Sequence, residues 1–368
     1  MTVTISDIAK ITGKNRSTVS RVLRNDTNFP VSEKSRREIL EVAKKLNYVP
    51  AHFARSLATG KSYCVAIVLG RAEKDLAEPS FSPILLEMTR TCLKHGYHLT
   101  LLPMDNSDPS DNELLEMVRG RRIDGFYIGT NMLGPEAMEE LSSRKVPIVT
   151  TELDPQVAKT GLVSVVRKDD GPGLNELVRE LVSRGHRRIA FVAPEYFISH
   201  RLGVYSEYFP TLRKMLTQAG VCEEGLSDFL YNPAVRGTLA SRAEARKAAL
   251  GWVERLSEYS AIVANSDFVA LGVADALSEH GLEAGKHYAL VGHNNSEQTA
   301  AFSVAKPFLT TIDPDYRLRG QMIAELLIER IKNPKVDPRI IDIPTRLIVR
   351  DSMIDATGPE RSKTTTCR

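Results

Sequence analysis

The sequence predicts an all-α N-terminal helix-turn-helix head plus an α/β body of two doubly wound parallel-sheet lobes. Three observations carry this. Residues 4–23, TISDIAKITGKNRSTVSRVL, hold two short amphipathic segments joined at Gly13. From Tyr63 onward apolar runs alternate with amphipathic stretches, the signature of βαβ units, and the runs are too many for one sheet. The charge is also uneven: of a net +3, residues 1–62 hold twelve Lys or Arg against five acids, so the head is basic and the remainder mildly acidic. A basic head on an acidic body points to a polyanion partner for the head alone.

The head is expected over 1–46. Thr4 and Asp7 stand at capping-box spacing, Ile5, Ile8, Ala9 and Ile11 form an apolar stripe, and Gly13 falls where a left-handed residue ends a helix. Asn15 can cap the second helix, whose inward face is Val19, Val22 and Leu23. Arg16, Ser17, Ser20 and Arg21 are left on the other face. Arginine can fork two hydrogen bonds onto guanine O6 and N7 in a major groove, and serine can reach phosphates or base edges, so this face suits DNA. The plain alternative is a helical hairpin with a solvated polar face. A third helix is expected from Ser32 to Leu46, stopped before Pro50.

Residues 47–61 read as a hinge. Ala51 to Gly60 is helix-permissive, but a helix this short rarely overcomes its nucleation cost alone. It is therefore expected to be disordered in the free protein and to fold only with support from a second copy and from DNA. Ala54 would allow close pairing and Leu57 would serve as an apolar wedge in a minor groove.

The body is expected over 62–354. Strands are predicted at 64–69, 98–103, 125–129, 147–151, 163–166, 188–193, 261–264, 288–292 and 309–313, with helices near 83–95, 110–119, 135–143, 173–184, 202–219, 241–259, 267–280 and 316–332. Ligands of such sheets lie at the carboxyl ends of the strands. The tail, 355–368, lacks apolar periodicity and is expected to be disordered. It holds no leucine heptad, so assembly is expected to stop at the dimer.

Composition, at 42% hydrophobic and 26% charged residues over 368, is that of a soluble globular protein of two or three domains. Cys64, Cys92, Cys222 and Cys367 have no paired spacing, which argues against a zinc site or disulfide framework. No apolar run reaches the ~18 residues of a membrane span and no signal-peptide core is seen, so a cytoplasmic protein is expected.

The head and hinge, NYVPAHFARSLATGKS included, together with RRIDG (121–125), GHRRIAFV (185–192), ANSDFVALG (264–272), LTTI (309–312) and RLIVRDS (346–352), resemble the lactose/galactose repressor family of bacterial transcription regulators from Val3 to Ser352. The resemblance implies a periplasmic-binding-protein-like body, with lobe 1 at about 62–162 plus 292–325 and lobe 2 at about 163–291 plus 326–354. It also implies a homodimer on a pseudo-palindromic double-stranded DNA operator, a small-molecule effector between the lobes, and no cofactor or membrane partner.

Residue by residue, the resemblance implies base reading by Arg16, Ser17 and Arg21, and phosphate contacts by Ser6, Asn15, Thr18, Ser20 and Asn25. Leu57 matches the family's hinge leucine, with His52, Ala54 and Arg55 around it; Ala51 departs from the Asn of several members. In the cleft, Phe81, Asp169, Arg201, Asp267 and Asn294 match effector-binding positions. Asp170 competes with its neighbour Asp169, and Asp267 could equally cap the helix it starts. Where most members carry Gly-Phe-Asp-Asp this chain has Gly292-His293-Asn294-Asn295, and Glu195 stands where a purine-binding member has arginine. Simple phosphorylated sugars and purines are therefore not expected as effectors.

Two rival classes remain. A transport solute-binding protein would need no basic head, and an enzyme on this fold would need a phosphate loop, paired metal ligands or a nucleophile motif that the sequence lacks.

Overall fold

The computed structural model describes residues 3–24, 29–48, 56–57, 59–69, 76, 78, 80–104, 112–129, 133, 135–151, 163–198, 207–234, 238–298 and 306–356. They fall into two units, Met1–Ser62 and Tyr63–Arg368.

In the first unit, helices α1 (Ile5–Thr12), α2 (Arg16–Leu23) and α3 (Glu33–Lys45) surround a core of Ile8, Ala9, Val19, Val22, Ile39 and Ala43. The ends are set locally. Asp7 Oδ2 accepts from the Thr4 hydroxyl at 2.7 Å and from its N–H at 2.9 Å, and Gly13 ends α1 at φ 62°. Ser32 caps α3 by accepting from the Ser35 N–H at 3.2 Å. Asn15 occupies the cap position of α2, yet its side chain makes no capping hydrogen bond. The expected stripe of α1 is corrected at one place: Ile11 is 59% exposed, and Thr12 is buried instead. Thr12 stands one helical turn beyond Ile8, and its hydroxyl donates to the Ile8 carbonyl at 2.8 Å. In the hinge, Gly60 N–H donates to the Ser56 carbonyl at 2.8 Å; the rest of that expectation, from 49 to 55, lies outside the described residues.

The second unit holds two six-stranded sheets. The first has the order β11-β5-β4-β3-β1-β2, with β1 Cys64–Leu69, β2 His98–Pro103, β3 Gly125–Ile128, β4 Ile148–Thr150, β5 Val163–Asp169 and β11 Ile340–Pro344, all pairs parallel. The second runs β12-β10-β9-β8-β6-β7, with β6 Ile189–Pro194, β7 Leu226–Tyr231, β8 Ala261–Ala264, β9 Ala289–His293, β10 Thr310–Asp313 and β12 Arg346–Ile348. Only β12 is antiparallel, against β10. Both faces of each sheet are covered, which is why the central strands read as continuous apolar runs. Val65, Ile67 and Leu69 of β1 enter one core and Ala66 and Val68 the other. In β6, Ile189, Phe191 and Ala193 alternate with Ala190 and Val192 in the same way.

Sheet membership departs from the expected lobe division at each of its boundaries. β5 pairs with β4 and β11 in the first sheet, β10 pairs with β9 in the second, and helix Tyr316–Lys332 packs Ile323, Ala324, Leu327 and Ile331 into the core of the first. The chain therefore crosses between lobes at 169–171, 313–316 and 344–346, after a strand is complete in each case. Three strands were not expected: β7, β11 and β12. All are sheet edges, where one side lacks a neighbour and polar residues interrupt the apolar run. Cys64 and Cys92 are free thiols, while Cys222 is disulfide-bonded, against the expectation from spacing. No described helix is long and apolar enough to cross a membrane.

One carboxyl is sealed inside the second lobe. Asp267, 1% exposed, accepts from the Thr311 hydroxyl at 2.6 Å and from the Ser296 N–H, joining the start of helix Asp267–Ser278 to β10 and the loop after β9. Ser266, not Asp267, caps that helix, accepting from the Val269 N–H at 3.3 Å. Burial pushes the Asp267 carboxyl up to about 7, although both hydrogen bonds act to lower it.

Two outcomes follow for stability. Helix Tyr316–Lys332 crosses helix Phe81–Lys94 at Gly320, where an added Cβ would sit 2.6 Å from the Ile84 carbonyl oxygen. Gly320→Ala should cost about 1–3 kcal/mol by overpacking, read from urea unfolding. For Asp267, the folded state keeps a proton that the unfolded chain, with a carboxyl near ~3.9, has released. The contribution of Asp267 to stability therefore falls as pH rises from about 4 to about 7 and is level above that. The neutral buried His186 and His293, both held below the usual histidine range by burial, act in the opposite direction up to about 6.5. The measurement is thus a difference: stability of wild type minus that of Asp267→Asn should decline across this window, by at most ~4 kcal/mol at ~1.4 kcal/mol per unit. A flat difference would place the titration elsewhere.

Candidate nucleic-acid interface and effector cleft

The head exposes the face that its core does not use. Val19 and Val22 are buried, which turns Arg16, Ser17 and Arg21 outward; Thr18 and Ser20 are half-buried beside them, and Ser6 is half-buried on α1. The Arg21 guanidinium lies over the Phe29 ring, 4.7 Å from its centroid, so its side chain is partly oriented before any partner arrives. The uncapped Asn15 side chain is exposed next to Arg16. Leu57 is 72% exposed, a large apolar side chain with no core to enter. Asn25, His52, Ala54, Arg55 and Arg201 lie outside the described residues.

Between the lobes, polar groups gather at the carboxyl ends of β5 and β9 and at the start of helix Tyr316–Lys332. Lys168 Nζ is 2.7 Å from Asp170 Oδ2 and 3.4 Å from His293 Nε2, and Asp170 Oδ1 is 3.3 Å from the same nitrogen. On the far side of the ring, His293 Nδ1 faces Asn294 Oδ1 at 2.8 Å, and the Tyr316 hydroxyl donates to that oxygen at 2.7 Å. Tyr208 stands edge-on to His293 with ring centroids 5.2 Å apart. Lys168 and Tyr316 belong to the first lobe, His293, Asn294 and Tyr208 to the second.

Burial decides the charge states. It holds Lys168 and His293 below their usual ranges, His293 further so because of the Lys168 charge. Burial opposes the Asp170 charge as well, but His293 and the Lys168 ammonium outweigh it and keep this carboxyl well below the carboxylate range. The cluster is a Lys–Asp ion pair against a neutral imidazole, rich in donors.

Of the expected effector residues, Asn294 is in this cluster. Asp169 is not: it is exposed, its Oδ1 accepts from the Gly171 N–H at 3.0 Å, and the neighbour Asp170 turns inward instead. Phe81 is half-buried at the start of helix Phe81–Lys94 and packs against the first-lobe core. Asp267 has both oxygens engaged by Thr311 and Ser296 and is better placed to hold the loop carrying Asn294 than to meet a ligand. The residues missed were Lys168, Tyr208, Tyr316 and Arg319. Tyr208 and Tyr316 had a weak signal, being aromatics that open helices after predicted strands; Lys168 and Arg319 read as ordinary solvated charges. Among the described residues no group of metal-ligating side chains is assembled.

The pattern described as "Bacterial regulatory proteins, lacI family" matches residues 4–51, and that described as "Periplasmic binding protein-like domain" matches 178–353. The "HTH-type transcriptional repressor PurR" of Glaesserella parasuis is 26% identical over 95% of this chain and 98% of its own. Catabolite control protein A of Priestia megaterium is 26% identical over 96% of this chain and 99% of its own. In fold, the Lac repressor dimer bound to operator and an anti-inducer aligns with TM-score 0.68 at 23% identity, covering 96% of this chain and 100% of that one. A transcriptional regulator CelR–cellobiose complex aligns with TM-score 0.60 at 24% identity, covering 95% and 99%. The chain thus joins a head that matches the lacI-family pattern to a body that matches the periplasmic-binding-protein-like pattern, and it is similar to such relatives along nearly their whole length.

Proposed function

We propose that this chain is a sequence-specific DNA-binding transcriptional regulator, a repressor acting in the cytoplasm, whose operator affinity is set by a small effector bound between the lobes. The observation that carries the reading is the α2 face: Arg16, Ser17 and Arg21 stand exposed on a helix whose opposite side is locked into the head core. Arg16, Ser17 and Arg21 read bases; Ser6, Asn15, Thr18, Ser20 and Asn25 position the head on phosphates. One head reads only a few base pairs, so the chain works as a homodimer on a pseudo-palindromic site. The matched relatives are regulators of transcription and not enzymes, and DNA binding with salt dependence separates this function from that of a transport solute-binding protein.

The hinge couples the two ends. Leu57 enters the minor groove at the operator centre, with Ala54 at the contact between hinge segments and His52 and Arg55 beside it. The effector, a carbohydrate or related metabolite, lies among Asn294, Arg201, Phe81 and the crossover at Asp169, with Asp267 fixing the loop that carries Asn294.

The operator can be selected from a random duplex pool with the full-length chain and titrated by fluorescence anisotropy. Arg16→Ala or Arg21→Ala should cost about 1–3 kcal/mol on the selected site and relax preference at one base pair per half-site. Equal losses on selected and random duplexes would make them phosphate contacts. Leu57→Ala should weaken operator binding and leave effector affinity of the free protein unchanged.

A further inference from the structure

Two buried polar groups in the cleft lack a hydrogen-bond partner. Among the described residues Asp170 is matched by Lys168 at 2.7 Å, and Asp313 by Arg346 at 3.0 Å. Asp169 and Asp315 spend an oxygen each on the Gly171 and Leu318 N–H groups, and Asp267 is sealed by Thr311 and Ser296. That leaves Arg319, in the first turn of helix Tyr316–Lys332. It is only 8% exposed, its Nε is buried with no hydrogen-bond partner, and no carboxylate pairs with it. Its guanidinium lies 5.7 Å from the Tyr316 ring centroid, and its charge reaches Lys168. An arginine cannot shed its proton to escape such a site, so a buried, unpaired guanidinium weakens the ligand-free fold.

A second orphan faces the same cluster from the other lobe. The Tyr208 hydroxyl is buried without a partner, its ring edge-on to His293 and 5.9 Å from Lys168 Nζ. Burial, together with the charges of Asp170 and Asp267, keeps the phenol protonated and therefore a donor. Two unused donors, one from each lobe, flank an ion pair that is already neutral overall. The missing group is an acceptor able to meet both, and a planar carboxylate matches the guanidinium fork.

Resting on the reading of this cleft as the effector site, we propose that the effector is a polyhydroxy monocarboxylate, a sugar acid of the uronate or aldonate class, whose carboxylate is taken by Arg319 and the Tyr208 hydroxyl. Its hydroxyls fall to Asp170 and Asn294, the one an acceptor and the other an amide able to donate. The neutral Asn294 presents no negative charge that would repel such a ligand.

The test uses the full-length protein and calorimetric titration with glucuronate, galacturonate and gluconate, the neutral parents glucose and galactose, and glucose 6-phosphate as a dianion. At least one acid should bind ten-fold or more tightly than its neutral parent, and Arg319→Met should erase that preference while Arg319→Lys keeps part of it. Without ligand, Arg319→Met should melt above wild type, since it removes an unpaired buried charge. Tighter binding of the neutral sugars, an acid affinity indifferent to Arg319→Met, or a lower melting temperature in that variant would overturn the proposal and leave the cleft as the effector site. Preference for glucose 6-phosphate over every acid would overturn the choice of a carboxylate in the same way. If no sugar or sugar acid binds and none alters operator affinity, the reading of the cleft fails along with the proposal.

Discussion

Two of the three crossovers between the lobes are pinned to each other by one carbonyl oxygen. Asp169 O, at the end of β5, accepts from both the N–H of Thr345, at 2.9 Å, and its hydroxyl, at 3.1 Å, so two of the three crossovers share a fixed point. The third is fastened nearby: the Asp313 carboxylate accepts from the Asp315 N–H and from Arg346, which directly follows Thr345. All three strands of the waist are thus tied to one another. The Lys168–Asp170–His293 cluster flanks this waist within one residue of Asp169. An effector shifts an equilibrium only by binding its two states differently, so the useful contacts are those made to both lobes at once. Lys168 and Arg319 come from the first lobe and Tyr208 and His293 from the second, which gives the cluster that property.

The neutral Asn294–Asn295 pair has a backbone cause as well as a chemical one. Both residues have positive φ, 101° and 51°, a region that Asn tolerates better than most side chains. Their side chains then part. Asn295 accepts from Arg350 Nη2 at 2.6 Å and donates to Gln298 at 3.2 Å, which anchors the loop to the second lobe. Asn294 alone faces the cluster. Only one of the two departures from the family pattern therefore bears on ligand choice; the other holds the turn.

What was legible in the sequence was what local physics decides. The head could be read because caps and a glycine C-cap act within four residues, and the central strands because burial on both faces leaves an unbroken apolar run. Ile11 failed because Thr12, one turn beyond Ile8, takes the inward position and can bury by bonding its own helix. The edge strands β7, β11 and β12 failed because their pattern is set by a neighbour on one side only. Lobe membership failed for a different reason: parallel strands of either sheet look alike, and only pairing assigns them. The same blindness hid the site. Nothing local distinguishes Asp170 from Asp169, or Arg319 from a solvated helix arginine; the crossover that buries them is formed by segments more than a hundred residues apart in the chain.

The point where the hinge enters the body is set by local contacts. The first residue of the second unit, Tyr63, is held at φ 55°, and its N–H donates to the Asp124 carboxylate at 2.8 Å. It leads straight into β1, which pairs with β2 on one side and β3 on the other, inside the first sheet. The first residue of the body is therefore held by the first lobe through both its backbone and its strand. Tyr63 and the cleft residues Lys168 and Arg319 therefore belong to one lobe: β1 shares a sheet with β5, and helix Tyr316–Lys332 packs on the core that β1 enters.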